Sequence, residues 1–262
     1  MTRYDTTARR AAAAAAVLAV AGLAVTGCKS STSAAGSSTT PAAASSSPAA
    51  AASASSSASS AAGAQAATFF PVGVNNTWVY ASTVGGKTAT DITNKMIAVD
   101  PVTGGQQVTM SVTPATGSAT TVTYLFHSDG SITVPVSEFG NGTLKITSGQ
   151  IVWPTKAELA SGQPHTSALT FSVAADGKVS NVTVHVTIAG GGMQSVTVPA
   201  GTYQAQLINE DFTETLLGQP VKFTLQTWVA SGVGPVKVAL APSSSNSLDA
   251  SVQVLKSFTK GS

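Results

Sequence analysis

From Val108 onward, apolar side chains recur at every second position. Val108, Met110 and Val112 alternate with polar neighbours, as do Val122, Tyr124 and Phe126, and then Ile132, Val134 and Val136. Val182, Val184, Val186 and Ile188 alternate with Asn181, Thr183, His185 and Thr187. Val221, Phe223 and Leu225, and then Val236, Val238 and Leu240, continue the pattern. A period of two is that of an extended chain with one face buried. Turn signals separate the runs: Gly85-Gly86, Gly104-Gly105, Asp129-Gly130, Asn141-Gly142, Asp176-Gly177 and Gly190-Gly191-Gly192. Each supplies the positive φ that hairpin loops need. The spacing predicts about ten to twelve strands in an antiparallel meander. The fold class expected is mainly β: a strongly curved antiparallel sheet, half-barrel or barrel-like, with a β-sandwich as the alternative. One helix is expected. Pro154-Thr155-Lys156-Ala157-Glu158-Leu159 carries a capping box, with Thr155 as N-cap and Glu158 three residues on, and Gly162-Gln163-Pro164 stops it within two turns. It is expected to cover an end or an edge of the sheet.

The first 67 residues follow no such pattern. Arg3, Arg9 and Arg10 against Asp5 make a positive start, and Ala11 to Val25 is an apolar run. That run has the length of a signal-peptide core and falls short of the roughly 20 residues a membrane-spanning helix takes. It ends at Val25-Thr26-Gly27-Cys28, which holds the only cysteine of the chain. These four residues resemble the lipobox of bacterial lipoproteins, with an apolar residue three positions before the cysteine and a small one directly before it. The resemblance implies cleavage before Cys28, diacylglycerol on its sulfur and acylation of the new amino group. Two or more acyl chains hold a protein stably on a bilayer where one does so marginally. Residues 1–27 are therefore expected to be a lipoprotein signal peptide, and Cys28 the membrane anchor on the extracytoplasmic face. The Arg9-Arg10 pair resembles a twin-arginine signal whose surroundings Ala11-Ala12-Ala13 only partly supply, so no cofactor loaded before export is implied.

From Lys29 to Ala67 the chain is Ser, Ala, Thr, Pro and Gly with Gln65 and a single charge, Lys29. Such a segment buries too little apolar surface to offset the entropy of ordering. Residues 28–67 are expected to form the acylated cysteine and a flexible tether, about 35 Å end to end as a coil. They would lift a single β domain, residues 68–262, clear of the membrane. The Ser, Thr and Pro content also suits O-glycosylation, with an unmodified spacer as the alternative.

Charge narrows the function classes. The full chain has 13 Lys+Arg and 11 Asp+Glu. Because all three arginines and Asp5 precede Cys28, the mature chain has ten lysines, ten acids and no arginine. A neutral domain without arginine argues against nucleic acid, which is bound by displacing counterions from phosphates. It also lacks the bidentate clamp for carboxylates and phosphates.

Three segments of the domain carry a further resemblance. Phe69-Phe70-Pro71-Val72-Gly73-Val74-Asn75-Asn76-Thr77-Trp78-Val79-Tyr80 resembles the opening F-P-(apolar)-x-x-G-x-x-W-x-Y of a group of exported bacterial β-proteins of unknown function. Val198-Pro199-Ala200-Gly201-Thr202-Tyr203 resembles their V-P-A-G-T-(F/Y) turn. Trp228-Val229-Ala230-Ser231-Gly232-Val233-Gly234-Pro235-Val236-Lys237 resembles their W-x-A-x-G-V-G-x-V-K segment. Asn75 departs from the pattern, which has Gly before the Trp. The resemblance implies a curved, open antiparallel sheet, similar by analogy to envelope proteins that hold lipid in a half-barrel, and it brings no catalytic residues with it. Trp78, Tyr80 and Trp228 are candidate groove or core aromatics. Trp228 is out of phase with Phe223 and Leu225, so it faces the other side of its strand.

Catalytic and metal constellations are not found. His127, His165 and His185 have no metal-ligand spacing. Glu210, Asp211 and Glu214 lack the further oxygens of a calcium loop and are expected to be a solvated edge, with Glu210 and Glu214 on one face. No G-x-S-x-G elbow occurs, and Ser257-Phe258-Thr259-Lys260 matches S-x-x-K on a predicted strand. Gly85-Gly86-Lys87-Thr88 reads as a hairpin turn. No cofactor or metal is expected. The function expected is a lipid-anchored, non-enzymatic envelope protein that binds an apolar ligand or another envelope component. A structural or interaction module, such as an accessory subunit, is the second reading and a hydrolase the third. The partners expected are the membrane through Cys28, an apolar ligand and an envelope protein.

Overall fold

The computed structural model describes residues 69–87, 90–134, 144–175, 178–216, 219–242 and 250–261. The signal peptide, Cys28 and the tether lie outside the described residues, as do the Asn141-Gly142 and Asp176-Gly177 turns. The first strands are β1 (Thr77–Val84), β2 (Thr90–Val102), β3 (Gly105–Pro114), β4 (Thr120–His127) and β5 (Ile132–Val134). Two short pieces follow, β6 (Leu144–Gly149) and β7 (Ile151–Trp153), and then helix α1 (Lys156–Ser161). The remainder is β8 (His165–Ala175), β9 (Lys178–Val198), β10 (Gly201–Leu216), β11 (Gln219–Ala230), β12 (Gly234–Pro242) and β13 (Ser251–Thr259).

All 13 strands among the described residues belong to one sheet, in the order β6-β8-β9-β10-β11-β12-β13-β1-β2-β3-β4-β5-β7. Every pair is antiparallel. The curved-sheet expectation holds, with slightly more strands than the spacing suggested, and the sandwich alternative does not. The sheet nearly closes into a barrel, and one stretch of chain closes it. Residues 144–149 pair with β8, and residues 151–153, one step further along, pair with β5. The two edges of the sheet are thus consecutive pieces of one strand that changes partner at Gly149, where φ is 85°. On its other side β7 meets β8 through a bond from the Val152 N–H to the Ser167 hydroxyl, 3.4 Å long.

The period-two pattern correctly selects the inward face. Val108, Val112, Phe126, Ile132, Val134, Val186, Ile188, Leu225, Val236 and Val238 are all buried. Five register shifts among the described residues, such as that between Met96 and Ala98, bend the ladder.

One turn signal reads differently in the fold. Gly190-Gly191-Gly192 lies inside β9 and does not end it. A Cβ on Gly190 would collide with the Leu159 carbonyl of α1, and one on Gly191 would stand 2.7 Å from Cδ2 of Leu207. The glycines are therefore a seat for the helix and for a neighbouring side chain, a demand that sequence spacing does not reveal. The helix itself forms as predicted. The Glu158 N–H donates to Thr155 Oγ1 at 3.2 Å, and the Thr155 N–H donates to Glu158 Oε2 at 2.8 Å. Its buried residue, Leu159, faces the sheet. Thr155→Ala should remove about 1 kcal/mol of stability, readable as a lower urea midpoint; an unchanged midpoint would mean the helix does not contribute to the cooperative unit.

Asn75 is the non-glycine residue with positive φ among the described residues, at 69°. The departure from the glycine of the resembled pattern is therefore conservative in backbone terms, since Asn tolerates the left-handed region better than most side chains.

Candidate functional site

The end of the barrel where the chain enters is closed by aromatic rings. Phe69 and Phe70 lie in a bend before β1. The Phe70 ring stands edge-on to Phe126 of β4, with centroids 5.8 Å apart, and tilted against Trp153 of β7 at 6.2 Å. It also reaches β12, because a Cβ on Gly234 would lie 3.2 Å from its Cδ1. One ring therefore touches three strands spread around the sheet. Asn76 fixes the segment behind it. Its side-chain amide donates to the Pro71 carbonyl at 2.8 Å, and its Oδ1 accepts from the Gly261 N–H at 2.8 Å.

Beneath Phe70 lies an apolar pocket lined by Met110, Tyr124, Phe126, Ile132, Val134 and Trp153. With the ring in place its free volume is about 10 Å³, near the minimum for one water molecule. A water there would find no polar wall, so the space is suited to hydrocarbon.

Trp153 links the pocket to a buried acid. Its indole N–H donates to Glu210 Oε2 at 3.2 Å, across the lumen from β7 to β10. Thr227 of β11 approaches the other oxygen at 3.5 Å. Glu210 is completely buried, which overturns the solvated edge expected for it; the side chain of Glu214 is outside the described residues. Burial pushes the Glu210 carboxyl up to about 8, with the Trp153 and Thr227 hydrogen bonds pulling the other way. The group is thus largely protonated at neutral pH, the form a dry interior favours. Burial also raises Tyr124 to about 12, and the Glu210 charge adds to this. Tyr80 is raised for the same first reason.

The aromatics singled out from sequence fall in two places. Trp78 and Tyr80 point into the barrel. The Trp78 N–H donates to the Val233 carbonyl at 2.6 Å and its ring stacks on Phe258 at 5.1 Å, while the Tyr80 hydroxyl donates to the Pro235 carbonyl at 2.9 Å. Trp228 lies on the opposite face of its strand from Leu225, as its phase implied. It is sheltered there by Lys237, whose ammonium stands 4.5 Å above the ring, and by Gln194, which accepts its N–H at 2.8 Å. Phe70, Trp153 and Glu210 escaped sequence reasoning. A signal existed for Glu210, because it alternates with Ile208 and Phe212, both buried. Grouping it with Asp211 and Glu214 by charge concealed that phase.

Among the described residues no group of three or more His, Cys, Asp and Glu could hold a metal. His127 is engaged with the Thr133 hydroxyl at 2.8 Å, and Ser257 of the S-x-x-K match lies in β13. No helix among the described residues is long and apolar enough to cross a membrane.

Fold and site together define a barrel-like β protein with a packed lumen, a ring-capped mouth and a sealed carboxyl. The chain belongs to the DUF3108-like family, whose model matches residues 86–239. No curated protein matches it. Two solved structures share the fold. One is described as an exported protein with a YmcC-like fold from Bacteroides fragilis, 15% identical, covering 74% of this chain and 100% of its own at a TM-score of 0.54. The other is described as a lipoprotein from Parabacteroides distasonis, 17% identical, covering 74% of this chain and 99% of its own at a TM-score of 0.55.

Proposed function

We propose that this is a lipid-anchored protein of the bacterial cell envelope, held on the extracytoplasmic face through Cys28, that acts by binding rather than by catalysis. The observation that carries the reading is the packed lumen. Trp78, Tyr80, Met96, Ile208, Leu225 and Leu255 are each no more than 2% exposed. The barrel is therefore not a container for a whole lipid, and binding falls to its mouth or its outer surface. The sealed Glu210 supports the non-enzymatic part, because a carboxyl behind Trp153 meets no substrate. The two structural neighbours, described as exported and as a lipoprotein, support the location.

Replacing Cys28 with Ala should move the protein from the membrane fraction to the soluble one. A variant still membrane-bound after a high-salt wash would end the anchor reading. Native mass spectrometry of the extracted protein, together with in-cell cross-linking, tests the binding part. Recovery of an apo, uncross-linked chain alone would count against it.

A second reading, an accessory subunit, rests on Met193 of β9, a large apolar side chain that is 60% exposed. A stoichiometric partner lost in Met193→Lys would support that alternative.

A further inference from the structure

We propose that the apolar pocket beneath Phe70 is a binding site for the end of a hydrocarbon chain drawn from a membrane lipid, and that Phe70 is its lid. The proposal rests on the binding reading above and names the ligand chemistry. Every lining group is hydrocarbon or aromatic ring at the point of contact, so a charged or strongly hydrogen-bonding ligand would lose its solvation there without return. An acyl terminus loses none.

The lid follows from where Phe70 sits. It lies outside the strand ladder and is half-buried. The next residue, Pro71, has no N–H to tie into a sheet. Its ring meets Phe126 edge-on and Trp153 at a tilt and also lies against Gly234, apolar contacts of a kind that a hydrocarbon chain end can replace. The free volume with the ring in place is small, so the ring must leave for a chain to enter. The vacated space is that of a phenyl ring joined to the existing cavity, enough for a few methylenes and not for a whole lipid. Among the described residues, Phe69 and Phe70 are also the nearest in sequence to Cys28.

The test uses the full chain with Cys28→Ala, so that its own acyl groups are absent, titrated with a long-chain fatty acid brominated at its methyl end. Bromine quenches an indole it touches, and Trp153 lines the site. Saturable quenching at one equivalent is expected, and it should be lost in Trp153→Phe but kept in Trp228→Phe. Phe70→Ala should tighten binding by about tenfold, because the apparent affinity no longer carries the fraction of time the lid is open. Val134→Phe, which fills the pocket from below, should abolish binding in either background. If that variant does not fold, the Phe70→Ala comparison decides alone. The proposal is overturned by non-saturable quenching in the parent chain, by equal quenching in Trp153→Phe, or by an affinity unchanged in Phe70→Ala. Lipidated protein that refuses the probe would show that its own acyl chain fills the site, which overturns the membrane-lipid source. A protein partner found by cross-linking while quenching is absent would end this inference and leave the broader binding reading standing.

Discussion

Glu210→Gln should flatten the pH dependence of the domain's stability. The carboxyl has its ordinary value of 4.5 in the unfolded chain and about 8 in the folded one. The folded state therefore holds this proton more tightly. Its contribution is fully present below about pH 4.5, is lost as pH rises through 8, and changes no further above that. Each pH unit inside the window removes about 1.4 kcal/mol, so wild type should lose on the order of 3 kcal/mol between pH 5.5 and pH 8.5. In the variant the amide carbonyl can still accept from Trp153 and the amide N–H can face Thr227, with nothing to ionise. The two stabilities should be similar at pH 5.5, and the variant should be the more stable at pH 8.5. Two other carboxyls act in the opposite sense at lower pH. The Ser131 N–H and hydroxyl hold Asp129 below its usual range, and the Thr155 N–H does the same for Glu158. Their stabilisation is present above their ordinary values and lost as pH falls, so it does not enter the neutral window. Urea midpoints across pH 5.5 to 8.5 measure the effect. Parallel curves for wild type and Glu210→Gln would show that burial of this carboxyl does not govern the trend.

Gly149→Ala should cost roughly 3 kcal/mol or more and loosen the seam of the barrel. A side chain at φ 85° pays about 1–2 kcal/mol for the left-handed region. A Cβ there would also collide with the Ala168 carbonyl oxygen and stand 3.1 Å from Cα of Leu169. Both obstacles are backbone of β8, so relief requires moving the β6–β8 pair itself. Gly192→Ala is the control. Its φ is 81°, but a Cβ there meets nothing within 4 Å, and only the conformational cost of about 1–2 kcal/mol should appear. Hydrogen exchange should report the difference as early opening of β6, β7 and β8 in Gly149→Ala. Equal losses in the two variants, with protection of β7 unchanged, would mean that the switch of partners at Gly149 does not hold the barrel closed.

Much of this domain is legible locally. Alternation in Val122-Thr123-Tyr124-Leu125-Phe126 says which side of the strand each residue takes, because Cβ direction depends only on the adjacent backbone. The helix at Thr155 was readable for the same reason, since its capping bonds span three residues. The Asp129-Gly130 turn is likewise satisfied within a few residues of chain.

The candidate site was not legible in this way. Phe70, Trp153 and Glu210 are drawn together from positions before β1, in β7 and in β10, and no short-range pattern relates them. The sequence by itself determined the strands, their inward faces and the helix, because those rest on near-neighbour geometry and side-chain polarity. Only the tertiary structure decided that Gly149 turns one strand into both edges of the sheet. The same closure decided that Gly190 seats a helix and that the face carrying Glu210 has a wall opposite it. Period two assigns a side to every residue, but whether that side meets water or another strand depends on how far the whole sheet curves.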